Sequence, residues 1–129
     1  MSSVTNSDAS GSKNPLHRVL VVEDDDALRE AIASLLDDAG YENEQAPNGR
    51  EALELLRRND EPCLVLLDLM MPVMNGWELY EEMQQDERLA TYPVLFLSAF
   101  PSSFAPTRNF LGKPLDLKRL LAAIEQHCH

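Results

Sequence analysis

The acidic run Glu23-Asp24-Asp25-Asp26 directly follows the apolar run Val19-Leu20-Val21-Val22. Another carboxylate, Asp68, ends a second apolar run, Leu64-Val65-Leu66-Leu67, and Ser98 ends a third, Val94-Leu95-Phe96-Leu97. Lys113, followed by Pro114, comes just after Phe110-Leu111-Gly112. Carboxylates gathered in one place repel each other, and a hard divalent cation relieves that repulsion. Magnesium suits such a set because it takes oxygen ligands: one or two carboxylates, waters and phosphate oxygens. A carboxylate beside the ion can attack phosphorus and become an acyl phosphate. The transferred phosphoryl group spreads negative charge over its oxygens, which an ammonium such as Lys113 and a hydroxyl such as Ser98 can meet.

Each of these residues also has a plainer use. Acid runs commonly sit on solvated surface, and Asp25 or Asp26 can cap a following helix. Acids at a helix start also satisfy its dipole, so Glu23 and Asp24 fit capping as well as metal binding. Asp68 differs, because it interrupts an apolar run and precedes Leu69-Met70-Met71-Pro72. The joint arrangement carries more weight than any single member.

The elements that must position these side chains can be read from hydrophobic spacing. The three apolar runs are continuous rather than alternating, which suits strands buried on both faces of a parallel sheet. Between them lie amphipathic segments. Asp26 to Ala39 carries Leu28, Ile32, Leu35 and Leu36 at helical spacing, with Gly40 as a stop. Asn48 caps a second helix through about Arg58, and Glu42 to Ala46 forms a less buried strand between the two. Asn75-Gly76 opens a third helix carrying Leu79, Tyr80 and Met83. A last helix runs from Leu115 to about Cys128, with Leu117, Leu120, Leu121 and Ile124 on one face. The alternation predicts an α/β fold: a doubly wound, five-stranded parallel sheet with right-handed crossovers. In such sheets ligands bind beyond the carboxyl ends of the strands, where the acids, Ser98 and Lys113 all fall.

Composition narrows the function. The chain of 129 residues suits one domain, and its net charge of -11 leaves no basic stripe for nucleic acid or an anionic membrane. Residues 1–15 are Ser-rich and lack the apolar stretch of a secretion signal, so they read as a disordered leader before a domain spanning 16–129. No later run approaches transmembrane length, so the cytoplasm is expected, and there the two widely separated cysteines, Cys63 and Cys128, are expected as free thiols. No Gly-rich phosphate loop is present, so ATP is not an expected ligand.

With these residues in place, the sequence resembles the receiver domain of bacterial response regulators, a flavodoxin-like fold. The resemblance rests on Val21-Val22-Glu23-Asp24-Asp25, on Leu67-Asp68-Leu69-Met70-Met71-Pro72-Val73-Met74-Asn75-Gly76, on Leu97-Ser98-Ala99 and on Gly112-Lys113-Pro114-Leu115. It implies that Asp68 is the phosphoacceptor. It implies Mg2+ held by Asp24 directly, by Glu23 largely through water, by Asp68 and by the backbone carbonyl of Met70. Ser98 matches the conformational-switch hydroxyl and Lys113 the lysine that contacts the phosphoryl group, with a cis peptide expected before Pro114. Asp25 matches no metal position and reads as a helix-start residue. Phe110 lies where the family often places an aromatic whose rotamer reports activation. The Met70 side chain is expected to obstruct attacking water and slow self-dephosphorylation. The implied partners are a sensor histidine kinase or a histidine phosphotransfer protein, and a downstream protein target. The expected role is a signalling module rather than a turnover enzyme.

The sequence departs from the family between Ser98 and Lys113. That segment is about two helical turns shorter than usual and contains Pro101 and Pro106, so the family's fourth helix is expected to be short or absent. Phe100 and Phe104 are expected to pack over the resulting gap. With no output segment after Cys128, a stand-alone receiver is expected. The alternative is a receiver-like protein-interaction module that no longer uses phosphorylation. A phosphohydrolase using an aspartyl phosphate is disfavoured, because Met70 stands where such enzymes need a second Asp. Trp77 is expected to pack, and the terminal His127-Cys128-His129 is assigned no function.

Overall fold

A computed structural model describes residues 17–68, 75–98, 110–112 and 116–128. The leader, Met70, Lys113, the peptide before Pro114 and the segment 99–109, where a short or missing fourth helix was expected, lie outside these residues. The side chains of Ser98 and Phe110 are likewise not described.

Within them the chain runs β1 (Arg18–Val22), α1 (Asp26–Asp38), β2 (Glu42–Ala46), α2 (Gly49–Arg58), β3 (Leu64–Asp68), α3 (Gly76–Gln84), a 3-10 turn (Leu89–Thr91), β4 (Val94–Ser98), β5 (Phe110–Gly112) and α4 (Leu117–His127). The five strands form one parallel sheet in the order β2-β1-β3-β4-β5. This is the doubly wound sheet expected from the alternation of runs.

Side chains alternate across a strand, and here the two sets fill two cores. Leu20, Val22, Val65, Leu67, Val94 and Phe96 pack under α2 and α3 with Leu53, Leu56, Leu79 and Met83. Val19, Val21, Leu64, Leu66, Leu95 and Leu97 pack under α1 and α4 with Ile32, Leu36, Leu120 and Ile124. Continuous apolar strands are required because both faces are covered. The edge strand β2 reads Glu-Asn-Glu-Gln-Ala and buries only Ala46, and its charges discourage pairing with a further strand.

Helix ends follow local chemistry. Asp25, Asn48, Asn75 and Asp116 each accept a backbone N–H of the helix that follows, and Asn75 with Glu78 completes a capping box. After α1 the chain reverses at Gly40, whose φ of 90° disfavours any residue with a Cβ. There the Gly40 N–H donates to the Asp37 carbonyl and the Tyr41 N–H to the Leu36 carbonyl, a Schellman closure.

One element was not foreseen, and one expectation needs correction. The 3-10 turn at Leu89–Thr91 was not anticipated; the Asp86 carboxylate starts it by accepting the N–H groups of Arg88 and Leu89. Leu117 shares a helical face with Leu120 and Ile124 yet is 39% exposed, whereas those two are fully buried. The first turn of α4, residues 116–119, is exposed throughout, so the helix docks on the sheet only from Leu120 onward. Trp77 packs as expected, tilted on Phe96 with ring centroids 5.3 Å apart and edge-on to Tyr80. Both cysteines are buried and free. Among the described residues no helix is long and apolar enough to cross a membrane.

Candidate functional site

The register of the sheet creates the site. Val22 of β1 pairs with Leu67 of β3, so the next residues, Glu23 and Asp68, emerge side by side at the carboxyl ends of adjacent strands. Asp24 follows on the loop into α1. One carboxylate oxygen from each of Glu23, Asp24 and Asp68 lies within 4.8 Å of the others. Glu23 is fully buried and Asp68 is 3% exposed, while Asp24 faces solvent.

Further along the rim, Asp68 pairs with Leu97, which puts Ser98 one step beyond it on the neighbouring strand. Ser98 in turn pairs with Gly112, the residue before Lys113. The topology therefore carries the backbones of the predicted hydroxyl and of the residue preceding the predicted ammonium to the rim that holds the acids. Lys113 and Met70 themselves lie outside the described residues.

The loop carrying Glu23 and Asp24 is tied down. The Glu23 N–H donates to the Ala46 carbonyl at 3.1 Å, extending the ladder between β1 and β2 by one bond. Its carboxylate accepts the Asp25 N–H at 3.1 Å. Asp25 turns its own carboxylate to the Leu28 N–H at 3.1 Å, so it is the helix cap, as expected, and stands apart from the trio.

One contributor went unnoticed in the sequence. Arg29 of α1 donates to the Glu23 carbonyl at 2.8 Å and also reaches Gln45 and Asp26. A signal was present: Arg29 sits near the start of α1, where the helix dipole disfavours a cation, so a specific partner should be sought there.

Three oxygen donors of like charge, two of them buried, fit a hard divalent cation. Packing such charges close in a medium of low dielectric is unfavourable, and a cation among them reverses the sign of the interaction. The donor set contains no thiolate or imidazole, which argues against zinc and for magnesium or a similar ion.

Residues 19–125 match the family model described as the response regulator receiver domain. The regulator RpaA of Synechocystis sp., named a DNA-binding dual master transcriptional regulator, is 32% identical over 114 residues, covering 83% of this chain and 47% of that protein. The chain thus spans about half the length of that relative. Among solved structures, the chemotaxis protein CheY4 of Vibrio cholerae superposes with a TM-score of 0.78 at 28% identity, covering 87% of this chain and 98% of that one. The receiver domain of the hybrid histidine kinase CckA superposes with a TM-score of 0.74 at 35% identity, covering 87% of this chain and 99% of that one.

Proposed function

This chain belongs to the response regulator receiver domain family, and from that premise we propose that it accepts a phosphoryl group on Asp68 within a two-component phosphorelay. The donor is a phosphohistidine on a histidine kinase or a histidine phosphotransfer protein, and the output is a change in binding to a downstream protein. The observation that carries the reading is the meeting of Glu23, Asp24 and Asp68 at one rim, with Glu23 and Asp68 buried. A solvated acidic surface gives no reason for burying two carboxylates side by side.

Glu23, Asp24, Asp68 and the backbone carbonyl of Met70 are the proposed protein ligands of Mg2+. The ion, when bound, supplies positive charge to the phosphoryl oxygens. Asp68 supplies the oxygen that bonds to phosphorus while the phosphorus–nitrogen bond of the donor breaks, and the imidazole leaves with that electron pair. Lys113 is the proposed ammonium partner of one phosphoryl oxygen and Ser98 the hydroxyl donor to another. Ser98 drawn toward the new phosphate shifts the population of neighbouring loop arrangements, and a partner protein reads that shift. The CckA neighbour, a receiver within a hybrid histidine kinase, supports a kinase as the donor side. A net charge of -11 makes nucleic acid an unsuitable direct target for these residues.

The test is incubation of the chain with acetyl phosphate and Mg2+, read by intact-protein mass spectrometry. The wild type should gain one phosphoryl group, Asp68→Asn should gain none, and a chelator should suppress the gain. A wild-type chain that stays unmodified with acetyl phosphate and with a panel of phosphorylated phosphotransfer proteins overturns the reading in favour of an interaction module that no longer uses phosphorylation.

A further inference from the structure

Arg29 makes three hydrogen bonds to three different parts of the fold. Its Nη1 donates to the Glu23 carbonyl at 2.8 Å, its Nε to Gln45 Oε1 on β2 at 3.2 Å, and its Nη2 to Asp26 Oδ1 in its own helix at 2.6 Å. The side chain is only 13% exposed. A planar guanidinium with fixed donor directions can hold such a geometry, whereas an ammonium on a flexible stem cannot hold all of it at once.

We propose that Arg29 is a positioning residue for the cation site, holding the peptide between Glu23 and Asp24 so that both carboxylates face Asp68. This rests on the reading of the trio as a Mg2+ site. The Glu23 carbonyl belongs to the peptide unit that launches Asp24, so fixing it sets the direction of the exposed, otherwise freer member of the trio. The other handles on Glu23 are already in use: its N–H donates to the Ala46 carbonyl and its carboxylate accepts the Asp25 N–H. Arg29 adds a further anchor to the loop from outside the ligand set.

A positive charge this close to a cation site also has an opposing effect, since it repels the metal. The Asp26 carboxylate at 2.6 Å offsets that charge. What remains at the trio is the weak field of a pair rather than of a full charge, while the hydrogen bond to the Glu23 carbonyl acts at short range. Positioning outweighs repulsion, and loss of Arg29 weakens metal binding.

The experiment is Mg2+ titration of the full chain by isothermal calorimetry, with thermal unfolding of the metal-free protein in parallel. Arg29→Ala should raise the Mg2+ dissociation constant about tenfold, the low end of what loss of a residue that orients metal ligands costs. Arg29→Lys keeps the charge and one donor and should recover part of that loss. Arg29→Met keeps the aliphatic stem and carries the same expectation as Ala if Ala does not fold. Arg88→Ala is the control: it removes an equally connected arginine away from the site, so it should lower thermal stability and leave the Mg2+ constant unchanged. If the wild type binds while Arg29→Ala or Arg29→Met binds within twofold of it, or more tightly, the positioning role is overturned alone. If the wild type takes up no Mg2+, the site reading and the role of Arg29 fall together.

Discussion

The two ends of the parallel sheet treat charge in opposite ways. At the carboxyl end, Glu23 and Asp68 are the buried charged residues among those described, and with Asp24 they bring like charges within 4.8 Å. At the amino end, cations meet oxygen atoms. Arg18, which opens β1, pairs with Glu44 and donates to the Glu61 carbonyl. Arg88, in the connection into β4, donates to the carbonyls of Leu56 and Asn59 and to the Tyr92 hydroxyl, and so closes the end of α2. The described bonds at one end tie helix and strand together, while the other end gathers three carboxylates where a cation can bind.

The contrast is sharpest in what substitutions do to stability. Arg88→Ala removes the partners of several carbonyls that terminate α2, and is expected to cost about 3 kcal/mol in urea unfolding. The same variant should take up phosphate from acetyl phosphate at the wild-type rate. A variant that keeps its stability, or loses phosphorylation, would erase the division between the two ends.

The amino end also sets an alkaline limit. Burial raises the Cys63 thiol from 9.0 to about 11, with Arg18 lowering it and Glu44 raising it by smaller amounts. An unfolded chain ionises this thiol near its ordinary value, so the contribution is whole below about pH 9 and is lost as pH rises through about 11. At about 1.4 kcal/mol per unit, the loss is on the order of 3 kcal/mol. Cys63→Ala should flatten the fall in unfolding free energy between these pH values, compared with wild type at the same temperature. An unchanged slope would locate the alkaline limit elsewhere.

At the carboxyl end the sign reverses. Asp68→Asn keeps the shape of the side chain and removes one of the crowded charges. Without added Mg2+ it should be more stable than wild type by on the order of 1 kcal/mol. Mg2+ at ten times its dissociation constant should then stabilise the wild type by about 1.4 kcal/mol, and the variant by less. Thermal unfolding with and without the ion reads both effects. A destabilised Asp68→Asn would mean that the carboxylate is structural, and the two ends would no longer differ.

Much of this division was legible beforehand, for reasons that are local. Continuous apolar runs marked β1, β3 and β4, and the bounds of β2 at Glu42–Ala46 agree with those expected from its place between two helices. Asp25, Asn48 and Asn75 announce helix starts because their side chains bond a few residues ahead. Once the strands were placed, the rim position of Glu23, Asp24 and Asp68 followed from parallel order. The role of Arg88 was not legible, because it bonds carbonyls 29 and 32 residues earlier in the chain and such pairings leave no periodic trace. Arg29 left a faint one, as a cation where the helix dipole favours an acid. Ser98 is placed by register alone, while the parts expected of Met70 and Lys113 fall outside the described residues.

The smallest effect belongs to the residue that spacing misplaced. Helical periodicity puts Leu117 on the face of Leu120 and Ile124, but period says only which way a side chain points, not whether the sheet extends beneath it. With the first turn of α4 exposed, Leu117→Gln should change unfolding free energy by no more than about 0.5 kcal/mol. Leu120→Ala, three residues on in a fully buried position, should cost roughly 3 kcal/mol. Comparable losses for the two would show that α4 docks along its whole length, and that the exposed first turn has a cover of its own. A near-silent Leu117 puts the docking of α4 at Leu120 and beyond, away from the carboxyl end of the sheet where the helix begins.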